Sequence, residues 1–576
     1  MTVLTDYYKQ ELRRLKEIAA DFSRGNPGLS RALSGESADP DVARVLEGVA
    51  FLSANIRQEL DQQFPRLLHS LAQIVCPQYI RPLPSTTIMA FEPKGSLNQS
   101  LTVEAGTYID SRPDKYGSCR FRTTEELTIL PMQLSRVVTL EETLVPELAF
   151  ELRFELVGQT LDQLPFDKLR LYIGGEFSDA CDLYYLIRHQ LKALMLVANG
   201  EISLPVGSVQ GTGFAPDQSL FGQPLGLMPA FDLLQQYFLS PQKFLFIDID
   251  LTSWRHRGAG NQFALRFQCN KPNFSVPTLT QEHFILHAVP AINLFEHKAQ
   301  SVLLDPLQES FQLLPAVSAY AQNSVIYSVE GVESVARGMD TPREYQSFGG
   351  FGESDDRAVY ETLYLNGQDP NNPDLYLKLA FPASQTLEDK EILKAELLCT
   401  NGDKAETLLP GDICIATSST PELATFQNIT KPTSARRVPL DGDQLWQLVS
   451  HLSLNYLSIT NAETLKGMLG LYVAPDNKEK SERLANTKKI DSITDVSVSQ
   501  SEALFGNAFV HGQHVQVQLK SEYFSSAGDK YLFGCVLEQF FAGTAAINVY
   551  SELTFEDHNS GERLQWPARI GNRPLQ

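Results

Sequence analysis

The sequence has no Cys-x-x-Cys pair, no Gly-Lys-Ser/Thr phosphate loop, no Gly-x-Ser-x-Gly elbow, no His-Glu-x-x-His and no calcium-loop spacing. These absences remove the local signatures of thiolate zinc sites, nucleotide hydrolysis, serine esterase chemistry and zinc peptidases. Its seven cysteines (Cys76, Cys119, Cys181, Cys269, Cys399, Cys414, Cys535) are odd in number and scattered, which points to buried reduced thiols rather than a disulfide framework. No uncharged apolar run approaches the ~18 residues that a membrane-spanning helix needs. Positive charge is scarce as well. Against 69 Asp and Glu stand 48 Lys and Arg, a net charge of −21 that repels phosphate backbones and anionic lipid surfaces. Lys9, Glu11, Arg13, Arg14, Lys16 and Glu17 occupy the stretch where a secretory signal would be apolar, so a cytoplasmic location is expected.

What is present suits globular domains. Hydrophobic residues make up 43% of the 576, and Gly (36) and Pro (32) lie near background, so disorder and fibrous repeats are disfavoured. At roughly 150 residues per domain the length predicts three or four domains.

The acid is unevenly spread. Residues 1–85 hold ten acids and ten bases, leaving 59 acids against 38 bases in residues 86–576. A neutral segment next to an acidic body suggests two different surroundings, one an interface and the other solvent.

The neutral segment reads as helical. Tyr8, Leu12, Leu15, Ile18, Ala19 and Phe22 share one helical face, which Gly25, Asn26 and Pro27 end. Asp39 and Pro40 open a second helix with Val42, Val45, Leu46, Val49, Leu52, Ile56 and Leu60 as its stripe, and Leu67–Val75 continues or restarts it. So few helices bury their apolar faces poorly alone. Packing within the chain and packing on another subunit both remain open.

The fold class expected is α+β and multidomain: an N-terminal helical segment at 1–85, a mixed α/β domain at 86–300, a β-rich domain at 301–430, and a C-terminal α+β domain at 431–576. Strands are expected at Thr87–Phe91, Cys119–Thr123, Ala149–Leu156, Phe244–Ile249, Ser324–Val329, Leu375–Ala380 and Ile413–Thr417. Ser178 is placed to cap a helix bearing Leu183, Tyr184 and Ile187, and Phe231, Leu234 and Phe238 mark another that Pro241 closes. In the C-terminal domain Asp443 opens a helix through Ile459, and Thr460 with Glu463 forms a capping-box pattern for Leu465–Leu471. Strands Ile490–Val498 and Ala508–Leu519, a helix Tyr531–Gly543 and a strand Val549–Phe555 follow.

Several constellations invite a chemical reading. His283 and His287 beside Glu282 could bind a metal on a helix, but Phe284, Ile285 and Leu286 favour a strand, along which four residues span ~13 Å. His511 and His514 point to opposite faces. Asp248 and Asp250 share a strand face at about 7 Å, as any half-exposed strand allows. Gly349, Gly350 and Gly352 read as a surface loop, and Arg436-Arg437 and Lys488-Lys489 are too small for a nucleic-acid surface. No catalytic residue, cofactor or metal ligand is therefore assigned. Two classes survive: an assembly subunit that works through its surfaces, or an enzyme whose site is built from scattered residues.

Longer blocks are more specific. Tyr7-Tyr8-Lys9-Gln10-Glu11-Leu12-Arg13-Arg14-Leu15, Asp39-Pro40-Asp41-Val42 with Leu46 to Leu52, Leu60 to Pro65 and Pro77 to Ser85 open the chain. Cys119 to Thr124, Tyr237-Phe238 with Pro241 and Lys243 to Phe246, Val289 to Phe295, Pro439 to Gly442 with Leu445 to Leu457, and Phe533 to Phe541 follow in order. Together they resemble, nearly end to end, the TssF (VasA/ImpG) family of bacterial type VI secretion baseplate subunits. Ala288 departs from a cysteine in the family pattern. The resemblance implies a non-enzymatic scaffold, similar to wedge proteins of contractile phage tails. It implies pairing with TssG, two copies to one, and joining TssE and TssK in wedges around a VgrG hub, on which tube and sheath assemble. It further implies a cytoplasmic baseplate docked at the inner-membrane complex. Leu12, Leu15, Phe22, Val42, Leu46, Val49, Leu52 and Ile56 are the expected interface with TssG and a second TssF copy.

Overall fold

A computed structural model describes residues 2–25, 41, 44–55, 71–73, 77–115, 117–140, 147–164, 166–222, 229–255, 257–305, 307–322, 324–336, 342–348, 358–365, 374–381, 391–438, 446, 461–473, 480–505 and 508–571. The expected helix from Asp443, apart from Trp446, and the glycine loop at 349–352 lie outside these residues. Two compact units emerge: residues 1–80 with 439–453, and residues 81–438 with 454–576.

In the first unit α1 runs over Thr2–Gly25, where the three-and-four spacing predicts it. Residues 44–55 are helical too, within the second expected helix.

The second unit is built on sheets. Its six-stranded sheet runs Ile413–Ile415, Tyr108–Ser111, Arg120–Thr123, Ala288–Ile292, Thr86–Pro93 and Ala424–Asn428. Met89, Phe91, Ile109, Phe121, Val289 and Ile413 lie buried in its core. A five-stranded sheet has the order Glu201–Leu204, Leu191–Val197, Gln262–Asn270, Glu147–Leu156 and Met132–Leu140. In it, Phe150 stacks on Phe267 and Phe154 on Phe263, each at 4.9 Å between ring centres. An eight-stranded sheet collects strands between Phe295 and Thr400. It is tied to the six-stranded sheet through Asn293, whose amide donates to Arg120 O (2.8 Å) and Asn401 Oδ1 (2.7 Å) while its Oδ1 accepts from Asn401 N and Thr400 Oγ1. A buried amide with this many partners holds the two sheets in one register, because breaking any bond strands a desolvated polar group.

Among the described residues, five further α-helices belong to this unit: α2 (Phe177–His189), α3 (Pro229–Leu239), α4 (Ala462–Gly470), α5 (Lys480–Asp491) and α6 (Ala527–Thr544). Helix α6 is buried nearly all round, as an apolar sequence on every face requires. Its Ser526 cap accepts from Asp529 N. Its side chains meet α2 through Tyr185 and Tyr531 (5.0 Å), and α3 through Phe231 and Phe540 (5.5 Å) and Tyr237 and Phe533 (5.8 Å). Gly528 permits the close approach to α2, since a Cβ there would sit 2.0 Å from Cys181 O. The strands Ala508–Leu519 and Val549–Asp557 pair in parallel, with α6 as their crossover.

Several local expectations need correction. Helix α2 starts from Glu176, so Ser178 lies in its first turn and not at its cap. The cap of α4 is Asn461, whose side chain accepts from Thr464 N at 2.8 Å, not Thr460. Helix α5 was not expected: only Lys489 and Ile490 are buried along it, so no apolar stripe marks it in the sequence. Ile490, expected to open the next strand, instead lies in the last turn of that helix, which runs to Asp491, and the strand begins at Ile493.

Candidate functional site

The residues with catalytic or metal-binding potential are dispersed. His283 Nδ1 bonds Thr280 N (3.2 Å), while His287 is buried at φ 52° and accepts from Leu130 N at 3.1 Å through Nε2. Burial pushes the His287 imidazole down to about 4, which keeps it neutral as that acceptor. Asp248 is claimed by Arg170 in a bidentate pair (2.8 and 3.1 Å) and by Lys168, and Arg170 also holds Glu125 at 2.7 Å. Asp250 faces solvent and accepts from Thr252 N. The carboxylate pair is thus split between an ion cluster and a turn. His511 pairs with Glu502, and His514 bonds Thr554 Oγ1.

Of the two basic spots, Arg436, Arg437 and Lys489 are held by fixed partners, and Lys488 is exposed. Arg436 donates to Phe238 O (2.9 Å) and Tyr472 O, and Arg437 pairs with Asp403 at 2.8 Å. Lys489 is buried against Asp529 at 2.6 Å. A second buried amine, Lys243, donates to Gln236, whose own amide donates to Asp232 Oδ2 at 2.6 Å. Burial holds the Lys243 ammonium down at about 8 and the Asp232 carboxyl above its ordinary range. Both serve packing: charges taken out of water are retained only with fixed partners. The groove of about 560 Å³ lined by Asp114, Asp403, Lys404 and Arg436 has the same character, with Lys404 held by Asp114 (3.0 Å) and Gly117 O (2.8 Å).

The first unit has a different surface. Over residues 44–55, Ala50 and Ala54 are buried and Leu46 is half-buried. Val45, Val49 and Leu52 are 65%, 43% and 61% exposed. At 100° per residue these three lie within about 60° of one another, one continuous apolar stripe. The side chains of Phe22, Val42 and Ile56 lie outside the described residues; Leu12 and Leu15 are half-buried on α1. Val45 is not among the expected interface residues, although it belongs to the predicted stripe. The alanines at 50 and 54 are the signal that divides it, marking a closely packed face beside an open one.

Comparison with known proteins agrees over the whole length. The family described as Type VI secretion system, TssF matches residues 1–573. The type VI secretion system component TssF1 of Pseudomonas aeruginosa is 25% identical over 99% of each chain. A chain in a cryo-electron microscopy structure of a TssK-TssF-TssG baseplate subcomplex is 26% identical. It superposes with a TM-score of 0.78, covering 92% of this chain and 99% of that one. A chain of a type VI secretion baseplate complex shares the fold at 21% identity and a TM-score of 0.64, over 99% of this chain and all of the other.

Proposed function

The chain belongs to the TssF family of the bacterial type VI secretion system, and on that premise we propose that it is a baseplate wedge subunit working as a scaffold, without catalysis. The subcomplex it resembles contains TssK and TssG, and these are the first partners proposed for this chain. TssE, a second copy of the chain and the VgrG hub complete the proposed assembly, in wedges with two copies to one TssG, on the cytoplasmic side of an inner-membrane complex. Such a subunit acts through contacts that hold wedges in register and yield when the sheath contracts, the free energy coming from the extended sheath.

One observation carries the reading: Val45, Val49 and Leu52 stand open as one apolar stripe, with Phe51 also exposed, on a helix in a charge-neutral segment. Covering each fully is worth about 1.5–3 kcal/mol before the entropy of association is subtracted. TssG, with the second copy, is the proposed cover. Leu12, Leu15, Phe22, Val42, Leu46 and Ile56 extend the proposed surface.

Co-expression with TssG and native mass measurement provide the test. The intact chain should give a complex of two copies to one TssG, and the double substitution Val49→Asp with Leu52→Asp should abolish it. Undiminished assembly of that variant would sink the docking surface, and failure of the intact chain to bind TssG would sink the scaffold reading.

A further inference from the structure

The C-terminal sheet ends in a strand that the described chain leaves half-paired. Ile493–Phe505 bonds on one side to Ala508–Leu519 and is the terminal strand of its sheet. The third strand pairs Ala508–Leu519 only from His511 onward. Residues 503–505 and 508–510 therefore continue as a two-stranded arm past the sheet. Tyr550 braces its root: the ring lies over Gly512, where a Cβ would come within 2.3 Å of it, and its hydroxyl reaches Ser501 Oγ at 2.6 Å. At the end of the arm Leu504 and Phe509 are direct cross-strand partners, 62% and 78% exposed.

Long edges are normally blunted by lysine, proline, a bulge or a covering group. The chain does so elsewhere. The edge strand Met132–Leu140 carries Arg136 at a bulge, and the Gln281 amide donates to its Leu134 O (3.3 Å) and Ser135 O. Ile493–Phe505 contains neither lysine nor proline, and its one irregularity lies at its start, between Ile493 and Asp495. Thr494, Asp495, Ser497, Ser499, Gln500, Glu502 and Leu504 are exposed along it.

We infer that this edge is a strand-addition site, and that its occupant is an extended, lysine- or arginine-bearing segment of another protein whose apolar residues cover Leu504 and Phe509. An extended backbone completes the ladder along the strand. Charge selects the kind of segment. The edge strand carries Asp495 and Glu502, the latter beside His511 of the neighbouring strand, and no lysine or arginine, on a chain of net charge −21, so a second copy is repelled and a basic segment is attracted. This surface belongs to a different compact unit from Val45, Val49 and Leu52 and does not depend on them.

The test uses the full chain with two synthetic peptides, alternating valine–lysine and alternating valine–glutamate, read by amide hydrogen exchange. The valine–lysine peptide should slow exchange within residues 493–505 while the valine–glutamate peptide does not. Ser497→Lys with Ser499→Lys, both at exposed positions, should remove that protection. Leu504→Ser with Phe509→Ser should weaken binding about tenfold. Absence of protection, equal protection by both peptides, or protection confined to other segments would overturn the inference. Concentration-dependent protection without peptide would also overturn it, by assigning the edge to a second copy. Assembly with TssG through the helical stripe is read separately, so either result stands without the other.

Discussion

In α6, Tyr531, Phe533 and Phe540 meet Tyr185, Tyr237 and Phe231 of the same chain, whereas over residues 44–55 Val45, Val49 and Leu52 face solvent. Both stretches are rich in apolar side chains, so composition does not separate them. What differs is the supply of partners. Helix α6 has two helices and a sheet packed against it, and Gly528 at the point of closest approach. Residues 44–55 bury only small alanines closely. An apolar face completed by its own chain contributes to folding; one left open is available to another subunit.

This contrast predicts a graded set of effects. The largest is expected at the buried ion pair beneath α6. Asp529→Ala leaves the Lys489 ammonium desolvated without its partner and should cost about 3–5 kcal/mol in denaturant unfolding. A loss below about 1 kcal/mol would show that water reaches the pair.

Next comes pH. His287 is held neutral with its pKa near 4, below the roughly 6.5 of an unfolded chain. Between these values the unfolded state binds the proton first. Its contribution is therefore intact above about pH 6.5 and is lost as pH falls through 4, up to about 3 kcal/mol. The slope of stability against pH should flatten in His287→Gln, and an unchanged slope would assign the dependence to other groups.

Gly528→Ala follows, at about 1–3 kcal/mol in thermal unfolding, because the new methyl forces α6 and α2 apart. The smallest effect belongs to the other side of the comparison. Val45→Ser with Leu52→Ser should change the stability of the isolated chain by less than about 0.5 kcal/mol per site while weakening capture of TssG. A stability loss near that of Gly528→Ala would mean that the stripe is internal packing after all.

Much of the fold was legible because its periodicity was strong. The three-and-four spacing from Tyr8 to Phe22 marks α1, and alternation marks Glu147–Leu156, while Thr86–Pro93 is a short apolar run buried on both faces. Helix α5 was not legible, since a helix that buries little beyond Lys489 and Ile490 leaves almost no hydrophobic signature. At the candidate surface, spacing nominated Val45, Leu46, Val49 and Leu52 as one stripe, and only exposure separates Leu46 from the open Val45, Val49 and Leu52. The chemical roles of Lys243, Asn293 and Arg436 could not be read locally. Their partners Asp232 and Gln236, Asn401, and Tyr472 lie between seven and 108 residues away in sequence.

The sequence by itself determined the α+β class, the neutral helical segment ahead of an acidic body, and, through long blocks in order, the family. These are properties of neighbouring residues, and local periodicity and charge suffice to express them. Tertiary structure alone decided that α6 lies between α2, α3 and a sheet, that Lys489 and Asp529 pair with one another, and that Ile493–Phe505 ends its sheet with one side unpaired among the described residues. Each depends on which distant segments meet, and hence on the burial of apolar area summed over the whole chain, a quantity no short stretch of sequence contains.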